Sequence, residues 1–176
     1  MKRKTIVHVA VALMVVHALS CKPEGEKKSG QPGSATDTSW AMLPFVKVDS
    51  VNPVLLPGTL TFLCPIQKKE IRWEEKDVFN PAAVVRDGKI YLLYRAEDLI
   101  GRFAGTSRLG LAVSTDGLHF SKRAEPVFYP DNDSLKIYEW EGGVEDPRIV
   151  ESEDGMYVLT YTAYDGNLAR LLIATS

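Results

Sequence analysis

The chain has 176 residues, 45% of them hydrophobic and 25% charged, with a formal net charge of -2. That length gives one domain room for a sizeable core, and the composition is that of an ordinary globular protein. Charge is near balance, and no basic patch or basic helix stands out. This excludes a nucleic-acid partner held by the usual phosphate electrostatics.

The first forty residues read differently from the rest. Lys2, Arg3 and Lys4 precede an apolar run from Ile6 to Leu19, which closes on Ala18-Leu19-Ser20-Cys21. A positive start, a short apolar stretch and small residues at its end describe an export signal. The run is shorter than the about 20 apolar residues that a membrane-spanning helix needs. The segment resembles a bacterial lipoprotein signal, in which the cysteine is acylated, although Ala18 stands where leucine is usual. Residues 1–21 are therefore expected to be a signal peptide with Cys21 as its lipidation site. The protein would be exported and membrane-anchored, in the periplasm or at the cell surface. Residues 22–39 hold no aromatic residue and no aliphatic one larger than alanine. They cannot bury enough apolar surface to offset ordering, and read as a flexible tether. The folded part, residues 40–176, should begin near Trp40. With Cys21 acylated, Cys64 has no partner in the chain and reads as a small core residue.

From there on the pattern is of strands. Ala82 to Arg86, Lys89 to Arg95 and Leu109 to Thr115 are short, rich in β-branched or aromatic residues, and bounded by turns. Asp87-Gly88 is a hairpin signal, and Asp116-Gly117 marks another turn. Arg148 to Glu151, Met156 to Tyr161 and Leu168 to Thr175 repeat the style round Asp154-Gly155. No long helical periodicity appears.

These strands belong to an internal repeat. Asp87-Gly88, Leu92, Tyr94, Ala96 and Asp98 recur 67 residues later as Asp154-Gly155, Leu159, Tyr161, Ala163 and Asp165. Arg108-Leu109, Ala112 and Ser114 recur 62 residues later as Arg170-Leu171, Ala174 and Ser176. A repeated multi-strand unit predicts propeller blades of about four strands each. Two copies cannot close a ring of about four to eight blades. The second copy also stops before the strand that would match His119-Phe120, so a longer reading frame is expected.

Asn80-Pro81 opens the first copy and Asp146-Pro147 the second, on what should be the innermost strands. The prolines are expected to hold both polar residues extended. On an extended strand Glu145 and Asp146 would point in opposite directions, which argues against a carboxylate pair acting across one bond. Asp87, Asp116 and Asp154 read as turn formers, and Asp98 and Asp165 as loop closers. Tyr91, Tyr94, Tyr157 and Tyr161 read as blade core.

The run from Asn80 to Asp98, Ser107-Arg108-Leu109-Gly110 to Ser114, Pro126-Val127-Phe128-Tyr129-Pro130, and Gly142-Gly143-Val144-Glu145-Asp146-Pro147-Arg148-Ile149 stand in one order. In that order they resemble glycoside hydrolase family 130. The resemblance implies an all-β fold, a five-bladed β-propeller with about the first two blades present. It implies action on a β-mannoside oligosaccharide or glycan, by hydrolysis or by phosphorolysis with inorganic phosphate as co-substrate. No other cofactor and no metal are implied. Asp146 matches the family's proton donor, which in phosphorolytic members works through a sugar hydroxyl. Asn80 and Arg95 match positions that hold the mannose before the scissile bond. Glu145 and Arg148 are expected to support Asp146. The groups that decide between phosphate and water lie in later blades of the family, so this stretch alone is expected to be inactive. Two other readings remain: another five-bladed glycosidase, or a non-catalytic glycan-binding surface lipoprotein.

Overall fold

Short runs of β-formers separated by Gly, Asp and Pro fold as antiparallel meanders in the computed structural model, which describes residues 44–176. The expected signal, Cys21, the tether at 22–39 and the start at Trp40 lie outside the described residues. A hairpin comes first, β1 (Thr61–Cys64) paired with β2 (Lys69–Arg72). Next, β3 (Asp77–Arg86), β4 (Lys89–Glu97), β5 (Ser107–Ser114) and β6 (Ser121–Lys122) pair in chain order as one meander. A second meander follows, with β7 (Gly143–Glu151), β8 (Tyr157–Tyr164) and β9 (Ala169–Thr175). Among the described residues the only helix is a single turn, α1 (Lys136–Glu139). The architecture is the all-β pair of blades expected from the repeat, with strands that run further toward the site than the sequence pattern suggested.

Alternation along β4 assigns its two faces. Tyr94 and Ala96 point one way and join Phe62, Cys64, Ile71 and Trp73, so the β1–β2 hairpin covers that face of the first blade. Leu93 points the other way, toward a second core of Leu109, Val144, Leu159, Tyr161 and Ala163 between the blades. Arg95 shares Leu93's side of the strand and so faces the second blade.

The repeat extends to buried polar pairs. Tyr94 donates to the buried Glu74 at 3.0 Å, and its counterpart Tyr161 donates to the buried Glu139 at 2.7 Å. Asp98 accepts three backbone N–H groups and the Arg108 guanidinium; Asp165 accepts two and Arg170. Both aspartates close loops, as their sequence context suggested. Tyr94 and Tyr161 are core residues and Cys64 is buried.

The blades meet edge to edge where Ser107 of β5 pairs in parallel with Gly143 of β7. Gly143 has φ 120°, and a Cβ there would lie 2.3 Å from the Ser107 carbonyl oxygen. Only glycine allows this approach. Gly143→Ala is expected to lower stability by about 2 kcal/mol or more, read from the urea midpoint. An unchanged midpoint would mean the blades are not seated through this contact.

Candidate active site

Asn80 and Asp146 occupy the same place in their blades and share one backbone device. Both precede proline, and both have left-handed backbone, φ 45° and 47°. This corrects the expectation of extended geometry. Proline keeps its predecessor out of the right-handed helical region, and Asn and Asp tolerate the left-handed one. The result is a bulge in each first strand. The register skips between Phe79 and Ala82, and again between Glu145 and Arg148.

The bulge also overturns the expectation that Glu145 and Asp146 diverge. Both carboxylates reach the guanidinium of Arg95. Nη1 donates to Asp146 Oδ1 at 3.1 Å, and Nη2 donates to Glu145 Oε1 at 2.9 Å. A left-handed residue breaks the alternation that would have sent the side chains to opposite faces. Asn80 Nδ2 donates to the same Asp146 Oδ1 at 2.8 Å, so the two bulges face each other.

Arg95 is held on every side. Its Nε donates to Ser107 Oγ at 3.0 Å, and Nη2 donates also to Glu97 Oε1 at 2.5 Å. The Phe79 ring lies under the guanidinium, 4.7 Å from its centroid. Glu97 Oε2 accepts from Lys76 Nζ at 2.6 Å. Ser107 Oγ lies 3.1 Å from Glu145 Oε1. The cluster therefore spans both blades, with Lys76, Arg95, Glu97 and Ser107 on the first and Glu145 and Asp146 on the second.

The two adjacent acids are pushed apart electrostatically. Burial holds Glu145 above the usual carboxylate range, although the Arg95 charge and the Ser107 hydrogen bond oppose it. Burial also works to raise Asp146, but hydrogen bonds from Asn80 and Arg95, with the charges of Arg95 and Arg148, outweigh it. Asp146 is thus held below its ordinary value. Its side chain keeps 37% exposure against 13% for Glu145. Asp146 Oδ2 accepts no hydrogen bond from the described residues, so that oxygen remains available to a ligand.

Of the five residues singled out in the sequence, Asn80, Arg95, Glu145 and Asp146 meet in one cluster. Arg148 stands beside it, exposed, and donates to the carbonyl oxygens of Pro147 and Asp146 and not to a carboxylate. Sequence reasoning missed Lys76, Glu97 and Ser107. Glu97 was findable, since it stands two residues after Arg95 on one strand and so shares its face. An apolar cavity of about 630 Å³ lies between the blades at the other end of their strands, among Val84, Leu93, Leu111, Phe128, Ile149 and Leu159. It contains none of the cluster.

Comparison with known proteins follows the same lines. The profile of glycoside hydrolase family 130, described as beta-1,4-mannooligosaccharide phosphorylase, matches residues 60–176. A 1,2-beta-oligomannan phosphorylase of Thermoanaerobacter sp. is 36% identical over 135 residues, which cover 72% of this chain and 40% of that protein. A glycosyl hydrolase structure from Bacteroides ovatus is 51% identical with a TM-score of 0.74, covering 78% of this chain and 40% of its own. Another structure is 50% identical, also at TM-score 0.74, covering 78% of this chain and 39% of its own. It is described by the statement that the family of mannoside phosphorylases contains glycoside hydrolases that target beta-1,2 mannosidic linkages in Candida mannan. The chain thus spans about two-fifths of the length of these relatives.

The opposed titration of the two acids is open to carboxyl ¹³C NMR. Asp146 should titrate below the ordinary aspartate range and Glu145 above the ordinary glutamate range. Arg95→Met should move both upward, because each loses a nearby cation and a hydrogen-bond donor. Folding stability should fall as pH drops through the Asp146 titration, since the folded state then binds fewer protons than the unfolded chain. Two coincident, unshifted titrations would show that the cluster does not form.

Proposed function

The chain belongs to glycoside hydrolase family 130, whose fold is a five-bladed β-propeller that this chain matches in part, and from that premise we propose that it forms part of an exported enzyme cleaving β-linked mannosides with Asp146 as proton donor. The family's members are mannoside phosphorylases and glycosidases acting on β-mannosidic linkages.

One observation carries the assignment of Asp146. Its Oδ1 takes both donors, from Asn80 and Arg95, while Oδ2 accepts no hydrogen bond from the described residues. Such a carboxyl has one oxygen fixed and one free to carry a proton toward a leaving oxygen. In the unliganded site it is ionised. A sugar laid over it would remove water from a group that is over a third exposed, and desolvation favours the protonated form. Asn80, exposed beside it, offers an amide to sugar hydroxyls, and Arg95 has a single N–H left unspent on its own chain. Glu145 and Arg148 shape the charge on Asp146.

Hydrolysis is favoured over phosphorolysis. The structures at 50% and 51% identity are described in terms of hydrolases, whereas the phosphorylase is 36% identical. Export favours it too, because a sugar phosphate made outside the cytoplasm is harder to reuse. Later blades are proposed to complete the site, since the matched stretch covers only about two-fifths of the relatives' length.

In the complete ring, Asp146→Asn should lower turnover of β-1,2-mannobiose about 10²- to 10⁴-fold while calorimetry still detects binding. The wild type should release mannose, and not mannose 1-phosphate, even in phosphate buffer. Wild-type turnover in the variant would remove Asp146 from its role. The anchoring proposal rests on Cys21: Cys21→Ser should move the exported protein from the membrane fraction to the soluble one, and retention on the membrane would refute it.

A further inference from the structure

Arg95 uses four of its five N–H groups on its own chain. Three of these bonds, to Ser107, Glu97 and Glu145, lie on Nε and Nη2. Together they leave Nη1 turned toward Asp146. The three anchors are not equivalent. Glu145 comes from the second blade, and the Ser107 hydroxyl has one proton to share among neighbouring carboxylates. Glu97 stands two residues beyond Arg95 on β4, on the same face, and is buried. Its other oxygen is tied to Lys76 Nζ, which also donates to the Ala104 carbonyl. The backbone joins the same residues again, since the Lys76 N–H donates to the Glu97 carbonyl at 3.0 Å. Glu97 is thus clamped at its backbone and at both carboxylate oxygens before the second blade contributes anything.

We propose that Glu97, clamped by Lys76, is a positioning residue that sets the rotation of the Arg95 guanidinium and thereby the donor presented to Asp146. The proposal rests on the reading of Asp146 as the acid. Its claim concerns geometry that exists without substrate. A carboxylate at this place does two things. It accepts from Nη2, which pins the plane of the fork. It also stands 3.3 Å from the Ser107 hydroxyl, as an acceptor for the group on which Arg95 Nε rests, so a second contact fixes the same fork. Phe79 below the plane leaves rotation within the plane as the freedom to be removed, and Glu97 removes it.

The test is a double-mutant cycle read by the carboxyl ¹³C titration of Asp146. Glu97→Gln should raise the Asp146 midpoint by about 1 pH unit, because a released Arg95 no longer holds Nη1 on Oδ1. Lys76→Met, which leaves Glu97 in place but frees one oxygen, should shift it the same way by less. In an Arg95→Met background, Glu97→Gln should produce no further shift, since its influence runs through the guanidinium. An equal shift in both backgrounds would mean that Glu97 acts on Asp146 directly, and would overturn the proposal. So would unshifted midpoints in both single variants. Urea midpoints measured alongside separate loss of fold from loss of position, and the Lys76 variant decides the matter if Glu97→Gln does not fold. No substrate is needed, so a chain inactive on β-mannosides sinks the functional reading while leaving this answer intact.

Discussion

A single guanidinium crosses from one blade to the other, and the candidate site depends on it. Arg95 is 15% exposed, and a cation that sheltered is tolerable only with carboxylates close by. One of them, Glu97, comes from its own strand; the other two, Glu145 and Asp146, come from the neighbouring blade. Seating the second blade and assembling the site are therefore one event. The seam beside it makes the approach possible. Ser107 is a rung of the sheet joining the blades, a partner of the Arg95 side chain, and the residue against which Gly143 has no room for a Cβ.

Both blades are built from one kit, and chemistry enters where the copies differ. Each has a tyrosine hydroxyl on a buried glutamate, an aspartate closing a loop against an arginine, and a left-handed bulge before proline. Those parts serve the scaffold. The bulge holds Asn80 in one copy and Asp146 in the other, so an amide faces an acid across the gap. The place of Arg95 is taken in the second copy by Thr162, 67 residues on. The first blade therefore brings the cation and the second brings the acid.

Much of this was legible in the residues. The 67-residue repeat and the Asp-Gly turns marked the blades, because hairpin chemistry is local. Asn80, Arg95, Glu145 and Asp146 were legible through their motifs. Two things were not. The β1–β2 hairpin is too short to show a period, and its Phe62, Cys64 and Ile71 acquire meaning only by packing on Tyr94 and Ala96. The bulges were missed because proline was read as enforcing extension, whereas it excludes only the right-handed helical region and leaves Asn and Asp another way out. That one dihedral decides whether Glu145 and Asp146 diverge or converge, and no alternation rule survives it. Ser107 and Lys76 escaped for a different reason: their roles are tertiary, defined by what lies across a seam.

The proline after Asn80 has a further consequence, for the lifetime of the protein. Asparagine ages to aspartate chiefly when the next backbone nitrogen attacks the side-chain amide and closes a five-membered imide, a reaction that consumes that nitrogen's hydrogen. Proline has none to give. Asn80 lies exposed on a bulge, the kind of place where such damage gathers, yet Pro81 closes the route. A new carboxylate there would stand where Asn80 now donates to Asp146 Oδ1, repelling the acid it serves. The ring that shapes the bulge also keeps the amide an amide, so the two facing bulges go on holding one carboxylate, that of Asp146, and not two.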